Sequence, residues 1–265
     1  MHVSVLAIII MVISAVVSIG LPVVLFIVFR KKYNAGILPM ITGIAGFVVF
    51  ALLLESFVHT MVIDRFALRE KPLIFVIYAV FMAGIFEETA RFIFFNLLKK
   101  KYTGIGTGLA YGIGHGGIES VVLAGLSMIN AIIVSIIINS GNIETITAGL
   151  QGAALEQTNA QIASLLATPP HLFLIGGIER LFALCMQLSL SVIVFYSVYG
   201  KNRLWLYPCA VALHAMADVP AVLMQVGVIT NVYIVELLVF AISVILILIA
   251  KYIHGKCGGN DAAGK

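Results

Sequence analysis

The chain has 265 residues, of which 62% are hydrophobic and only 11% are charged. Soluble globular domains contain about 45–50% apolar residues, so this composition excludes an ordinary soluble domain and predicts a polytopic membrane protein. The net charge of +4 does not indicate nucleic-acid binding, because the cations stand in short clusters between apolar stretches, as membrane topology signals do. We expect a multi-pass integral membrane protein.

Seven apolar stretches are long enough to cross the bilayer, for which a helix needs about 20 residues. They cover residues 3–29, 37–60, 73–98, 105–138, 172–199, 204–227 and 231–252, and we call them spans one to seven. The predicted fold class is therefore all-α, a polytopic bundle of transmembrane helices. We expect one integral-membrane domain over residues 1–255, with its core at about 73–227, and a flexible tail at 256–265.

Lysine and arginine cluster after every second span. The clusters lie at 30–32, 99–101, 201–203 and 251–256. The positive-inside rule then predicts an outside N-terminus and a cytoplasmic C-terminus. The stretch 139–170 has no lysine or arginine and is too polar to span, so we expect an outer loop that contains a surface helix.

Three of the apolar spans carry ionisable side chains near their middle. Span three contains Glu87, Glu88 and Arg91, span four His115 and Glu119, and span six His214 and Asp218. A charge at mid-membrane costs about 2.5–3.5 kcal/mol on insertion scales, so such groups usually serve a function. At 1.5 Å per residue, Glu88, His115 and His214 lie roughly 15–17 Å from the cytoplasmic boundary. Three helices are thus expected to bring ionisable groups to one plane.

The carboxylates of span three are the candidates for acid–base chemistry. Glu87 and Arg91 are four residues apart and share one helix face. Glu87 and Glu88 are adjacent and therefore about 100° apart around the helix. We expect Arg91 to neutralise one of them, while the other accepts a proton from water.

The imidazoles of spans four and six are candidates for holding that water or a developing oxyanion. His115 and Glu119 are four residues apart, as are His214 and Asp218, so each carboxylate can fix the tautomer of its histidine. Beside His115, glycines recur every four residues from Gly104 to Gly116. This pattern predicts a smooth ridge on span four that a neighbouring helix can approach closely.

Three further charged residues lie at a different depth. Glu179 and Arg180 stand near the outer end of span five, and Glu55 stands in the outer part of span two. We expect a structural or gating role for them rather than a catalytic one, and Glu55 is a candidate partner for the pair across the bundle.

The motifs resemble those of the CAAX-protease and bacteriocin-processing superfamily of intramembrane proteases. Within it, the chain is most similar to the YhfC family, a relative of PrsW-type proteases and of the Aph subunit of gamma-secretase. The resemblance rests on EETAR at 87–91, GIGHGGIE at 112–119, GGIER at 176–180 and HAMAD at 214–218. It covers spans three to six, about half of the chain.

The resemblance implies a bacterial cell membrane as the location of the protein, and it implies roles for these residues. Glu87 would activate water, supported by Glu88 and Arg91, and His115 and His214 would bind the water and the oxyanion. Two other positions also bear on the resemblance. Tyr111 fills the aromatic position four residues before the first histidine of the CAAX pattern. The CAAX pattern has asparagine where this chain has Asp218, and the PrsW-like pattern has aspartate there. The spacing between the glutamate and the arginine of the first motif is one residue shorter here than in the CAAX pattern. These departures argue against prenyl-protein substrates.

The favoured hypothesis is a glutamate-type intramembrane endopeptidase without a cofactor, which cleaves a membrane-embedded or membrane-associated protein or peptide. Three alternatives remain open. The first is a zinc protease whose metal is held by His115, His214 and Glu87. The second is a proton-coupled transporter, because buried acid and histidine chains form proton relays. The third is a non-catalytic membrane scaffold.

Overall fold

The computed structural model describes residues 2–261 and contains, among these, seven helices that are long and apolar enough to cross a membrane. Spans one to seven are Val5–Tyr33, Ile37–Arg65, Pro72–Leu98, Ile105–Asn139, Pro170–Tyr199, Leu206–Gln225 and Val232–Gly258. The described residues contain no strand. The predicted all-α class with seven spans is confirmed, and the protein is a multi-pass integral membrane protein. The orientation of the termini stays a prediction.

Two spans contain π-helical turns. In span two the π-helical segment is Phe47–Glu55, and in span four it is Val121–Gly125. Such segments often accompany functional sites because they rotate the side chains that follow. The stretch between spans four and five forms the short helix Glu144–Thr147 and the longer helix Gly152–Ala167. That this stretch lies at the outer surface of the membrane stays a prediction.

The last helix is longer than its glycine-containing sequence predicts. It runs over Val232–Asp261, so residues 256–261 are helical where the sequence predicted a flexible tail. The Cys257 side chain is buried in an apolar cluster with Tyr196, and Tyr196 Oη lies 2.6 Å from His254 Nδ1. These contacts hold the additional turns. Residues 262–265 of the predicted tail lie outside the described residues.

The contacts between helices divide the chain into two compact units. The first comprises Met1–Leu21 and Ser120–Leu181. Its core joins Met11, Ile138, Ile162 and Phe173, and the Ser14 hydroxyl donates to the Phe173 carbonyl over 2.8 Å. The domain boundaries predicted from the sequence stay a prediction.

The second unit comprises Pro22–Glu119 and Phe182–Lys265. Its core follows the second half of span five, where residues 189–197 are all buried. Spans three, four, six and seven contribute Phe95, Tyr111, Leu206 and Ala250 to the same cluster. The outward faces of these spans carry exposed apolar side chains, as helices in contact with lipid do. All residues of the predicted catalytic set lie in this unit.

Candidate active site

Span three carries its two carboxylates in the interior of the second unit. Glu87 is 7% exposed, and Glu88 and Arg91 are fully buried. One turn before them, Gly84 allows span six to approach closely, since a Cβ at this position would lie 2.8 Å from the Val211 carbonyl oxygen. This close contact brings His214, one turn further along span six, next to the two carboxylates.

Three of the predicted residues meet at one carboxylate oxygen. Oε2 of Glu87 lies 2.8 Å from Nε2 of His115 and 3.8 Å from Nε2 of His214. Nη2 of Arg91 is 3.6 Å from the same oxygen. Spans three, four and six therefore converge on Glu87, as their matched depth predicts.

Glu88 forms the second centre of this network. Its Oε1 lies 2.6 Å from Nη1 of Arg91 and 2.6 Å from Nδ1 of His214. Arg91 contacts both carboxylates rather than one, because Glu87 and Glu88 precede it by four and three residues, and both spacings make them its neighbours on the helix surface. Glu88 holds Nδ1 of His214, whereas the sequence assigned the orientation of this ring to Asp218.

Span five supplies two residues that the sequence analysis missed. Gln187 Nε2 donates to Oε2 of Glu119 over 2.6 Å and to Oε2 of Glu87 over 3.2 Å, and its Oε1 accepts from Arg91. The Ser191 hydroxyl accepts from Nε of Arg91 over 3.1 Å. The signal available in the sequence was two polar residues four apart in an apolar span, which places them on one helix face.

The glycine ridge of span four positions these two residues. A Cβ at Gly116 would lie 2.7 Å from Cβ of Gln187, and a Cβ at Gly112 would lie 3.0 Å from Oγ of Ser191. Only glycine lets the two backbones come this near. The glycine ridge thus lets span five lie close to the carboxylates of span three. This is a second role, in addition to the close helix packing that the glycine spacing predicts.

Aromatic rings fix the orientation of His115, which is fully buried. Tyr111 stacks on it with ring centroids 6.0 Å apart, and Phe47 meets it edge-on at 5.4 Å. Within the described residues, Nδ1 of His115 has no hydrogen-bond partner. A buried nitrogen of this kind is suited to bind a ligand. The predicted supporting position Tyr111 is in contact with this ring.

A group of three side chains in this site has the composition of a metal site. Glu87, His115 and Glu119 each offer one donor atom, and these atoms all lie within 4.8 Å of one another. One imidazole and two carboxylates suit zinc and related divalent ions, so the donor set fits such a metal. The sequence placed His214 in this set, but the geometry brings Glu119 into it.

Asp218 lies at the more open side of the site. Its Oδ2 is 3.5 Å from Nε2 of His214. The Asp218 side chain is 32% exposed, against 4% for the His214 side chain. This side of the network is therefore the accessible one.

The residues assigned to a gate or a structural role have partners close in sequence. Oε1 of Glu55 lies 3.1 Å from Nε2 of His59, and Nδ1 of His59 lies 3.0 Å from the Tyr78 hydroxyl. In the first unit, Glu179 accepts a hydrogen bond from the adjacent Arg180. Their gating role stays a prediction.

Two comparisons with known proteins find matches. A family model described as YhfC intramembrane metalloprotease matches residues 17–239. The chain is also 37% identical over 253 residues to a protein of Bacillus subtilis (strain 168) named "Uncharacterized membrane protein YhfC", which covers 92% of this chain and 96% of that protein. No solved structure matches the chain.

These findings correct one expectation. The prediction of a site without a cofactor is wrong, because the family is described as a metalloprotease family and the structure contains a donor set suited to a metal. The sequence pointed away from metal because it lacks the HExxH motif and places Arg91 near the site. The placement in the CAAX-protease superfamily stays a prediction. The family model and the Bacillus subtilis relative both span most of the chain, and the chain belongs to the YhfC intramembrane metalloprotease family.

Proposed function

We propose that the protein is a metal-dependent intramembrane endopeptidase that hydrolyses a peptide bond of a membrane-embedded or membrane-associated protein. The donor set of buried Glu87 and His115 and half-buried Glu119 carries this proposal. The description of the family as an intramembrane metalloprotease supports it. Buried carboxylates inside apolar spans are costly, and a bound cation offsets that cost.

Glu87, His115 and Glu119 would hold the metal. When bound, a divalent ion of this type acts as a Lewis acid and promotes deprotonation of water near neutral pH. The open side of the site at Asp218 gives the substrate access.

Gln187, Arg91 and Glu88 position the donor atoms. The Gln187 amide bonds to both Glu87 and Glu119 and so holds two helices at a fixed separation. Arg91 fixes the orientation of this amide from the other side. Hydrogen-bond partners of this kind orient metal ligands, and their loss typically costs about 10–100-fold in metal affinity or activity.

His214 and Asp218 act on the substrate together, His214 from the buried interior and Asp218 from the more open side. In its doubly protonated form, His214 donates from Nδ1 to Glu88 and from Nε2 to the oxygen of the scissile carbonyl, where negative charge develops. Asp218 accepts a proton from the attacking water. As the C–N bond breaks, that proton passes to the nitrogen of the leaving amine.

Metal content and proteolysis of the purified chain test this proposal together. Wild-type protein in liposomes is expected to bind about one zinc ion per chain and to cleave a transmembrane peptide substrate. Chelation should abolish cleavage, and added zinc should restore it. Glu87→Gln and His115→Ala should lose both metal and activity, because each removes a donor atom.

Glu55→Gln is the matched control for metal content. Glu55 is 9% exposed, close to the 7% of Glu87, and it lies outside the donor set. This variant should keep the metal. Full peptidase activity in metal-free wild-type protein, or in Glu87→Gln, would show that the assignment is wrong.

A further inference from the structure

A groove on the second unit lies away from the candidate active site. It has a volume of about 270 Å³ and lies between spans one, four, five and seven. Its body is apolar and is formed by Phe29, Leu109, Leu188, Val192 and Ile247. Neither the metal site nor the proposed hydrolysis uses it.

One end of this groove is cationic. Lys251 and His254 line it together with Tyr33, and Nζ of Lys32 lies 5.2 Å from the centroid of the Tyr33 ring. His254 is held in place by its contact with the Tyr196 hydroxyl. The described residues that line the groove include no carboxylate, so this end favours an anion.

The cationic end lies at the level where the helices leave the membrane. Tyr33 is the last residue of span one and Ile105 is the first of span four, and both line the groove. On span five, Val192 and Leu188 precede the helix end at Tyr199 by seven and eleven residues. At 1.5 Å per residue they lie about 10–17 Å further into the membrane. The groove therefore runs from a cationic boundary into the hydrocarbon region.

We propose that this groove binds an anionic phospholipid of the surrounding bilayer. One acyl chain lies against the apolar wall, and the phosphate lies beside Lys251 and Lys32. A phospholipid suits this groove because its head group is charged and its acyl chains are apolar. The groove changes from cationic to apolar at the same depth in the membrane. An anionic head group is favoured over a zwitterionic one because Lys251 lines this end, Lys32 lies over the ring of the lining residue Tyr33, and the described lining residues include no carboxylate.

Lipid titration of the delipidated full-length chain in neutral detergent tests this inference, with bound lipids counted by native mass spectrometry. Dioleoyl phosphatidylglycerol should bind more tightly than dioleoyl phosphatidylcholine. Lys251→Gln should weaken phosphatidylglycerol binding about fivefold, the change expected for loss of one cation at a membrane surface. Lys256→Gln is the matched control, since Lys256 lies over Tyr252 outside the groove and its loss should leave binding unchanged.

A second pair of variants tests the apolar wall. Ile247→Trp should fill the groove and abolish tight binding of phosphatidylglycerol. Leu248→Trp, at the next residue, should not, because Leu248 is 60% exposed and does not line the groove. The inference fails if phosphatidylcholine binds equally well, if Lys251→Gln and Lys256→Gln behave alike, or if the two tryptophan variants do. It also fails if glycerophosphoglycerol, the head group without acyl chains, binds as well as the intact lipid.

Discussion

Replacing Arg91 with methionine tests whether the buried charge network joins spans three, five and six. Arg91 is fully buried, and it donates to Glu88 over 2.6 Å and to Ser191 over 3.1 Å. Removing one partner of a buried ion pair costs about 3–5 kcal/mol, because the other charge is left uncompensated. Methionine has a similar length and fills the space of the arginine stem, so a cavity contributes little. We therefore expect Arg91→Met to lower the free energy of unfolding by about 3–5 kcal/mol.

A double-mutant cycle separates this cost from other effects of the substitution. Glu88→Gln removes the buried negative charge that Arg91 compensates. The double variant should then lose less than the sum of the single variants, with a coupling of about 1–3 kcal/mol. The measurement is reversible unfolding in mixed micelles, followed by circular dichroism of the full-length chain.

Lys99→Met is the control for this cycle. Lys99 is exposed at the end of span three, so its replacement should change the free energy of unfolding by no more than about 0.5 kcal/mol. A loss below about 1 kcal/mol for Arg91→Met, or strict additivity with Glu88→Gln, would refute the network as the connection between these helices.

Two further predictions concern the contact of spans four and five. Gly116→Ala should lower the free energy of unfolding by about 1–3 kcal/mol, because its Cβ would lie 2.7 Å from Cβ of Gln187. Gly104→Ala, at a position with open space, should cost nothing in the same mixed-micelle measurement, and equal losses would contradict the ridge contact. Gln187→Leu should weaken zinc binding about 10–100-fold, because it removes the amide that donates to Glu87 and Glu119. Competition with a fluorescent zinc chelator measures the zinc affinity. An unchanged affinity would exclude the positioning role of Gln187.

The seven spans and the common depth of the polar residues could be predicted from the sequence. A helix that crosses hydrocarbon must satisfy its backbone hydrogen bonds internally, so an apolar stretch of sufficient length specifies the helix without its neighbours. Spacing along that helix then fixes the depth of Glu88, His115 and His214 through the constant rise per residue. The flexible tail at residues 256–265 stays a prediction, although the last helix continues to Asp261; the contact of Tyr196 with His254 joins residues far apart in sequence, and the spacing within one helix does not predict it.

The pairing of side chains within the site could not be predicted in the same way. Periodicity assigned Asp218 to His214, yet Glu88 holds Nδ1 of this ring at 2.6 Å. It also missed Gln187, which reaches Glu87 and Glu119 from another span. Such pairs depend on how each helix is rotated about its axis and on the angle at which it crosses its neighbours. The spacing of residues within one helix does not determine either.

The amino-acid sequence by itself determined the membrane class, the number of spans and which of them carry ionisable groups, because these follow from the length of the apolar runs and the helical repeat. Only the tertiary structure decided which atoms meet. Gly84, Gly112 and Gly116 let neighbouring helices come so close that an added Cβ would lie about 3 Å or less from the facing helix. Hydrogen bonds and metal ligation require this closeness, because they form only over distances of about 2–3 Å. The donor set of Glu87, His115 and Glu119 is therefore a property of the packed bundle.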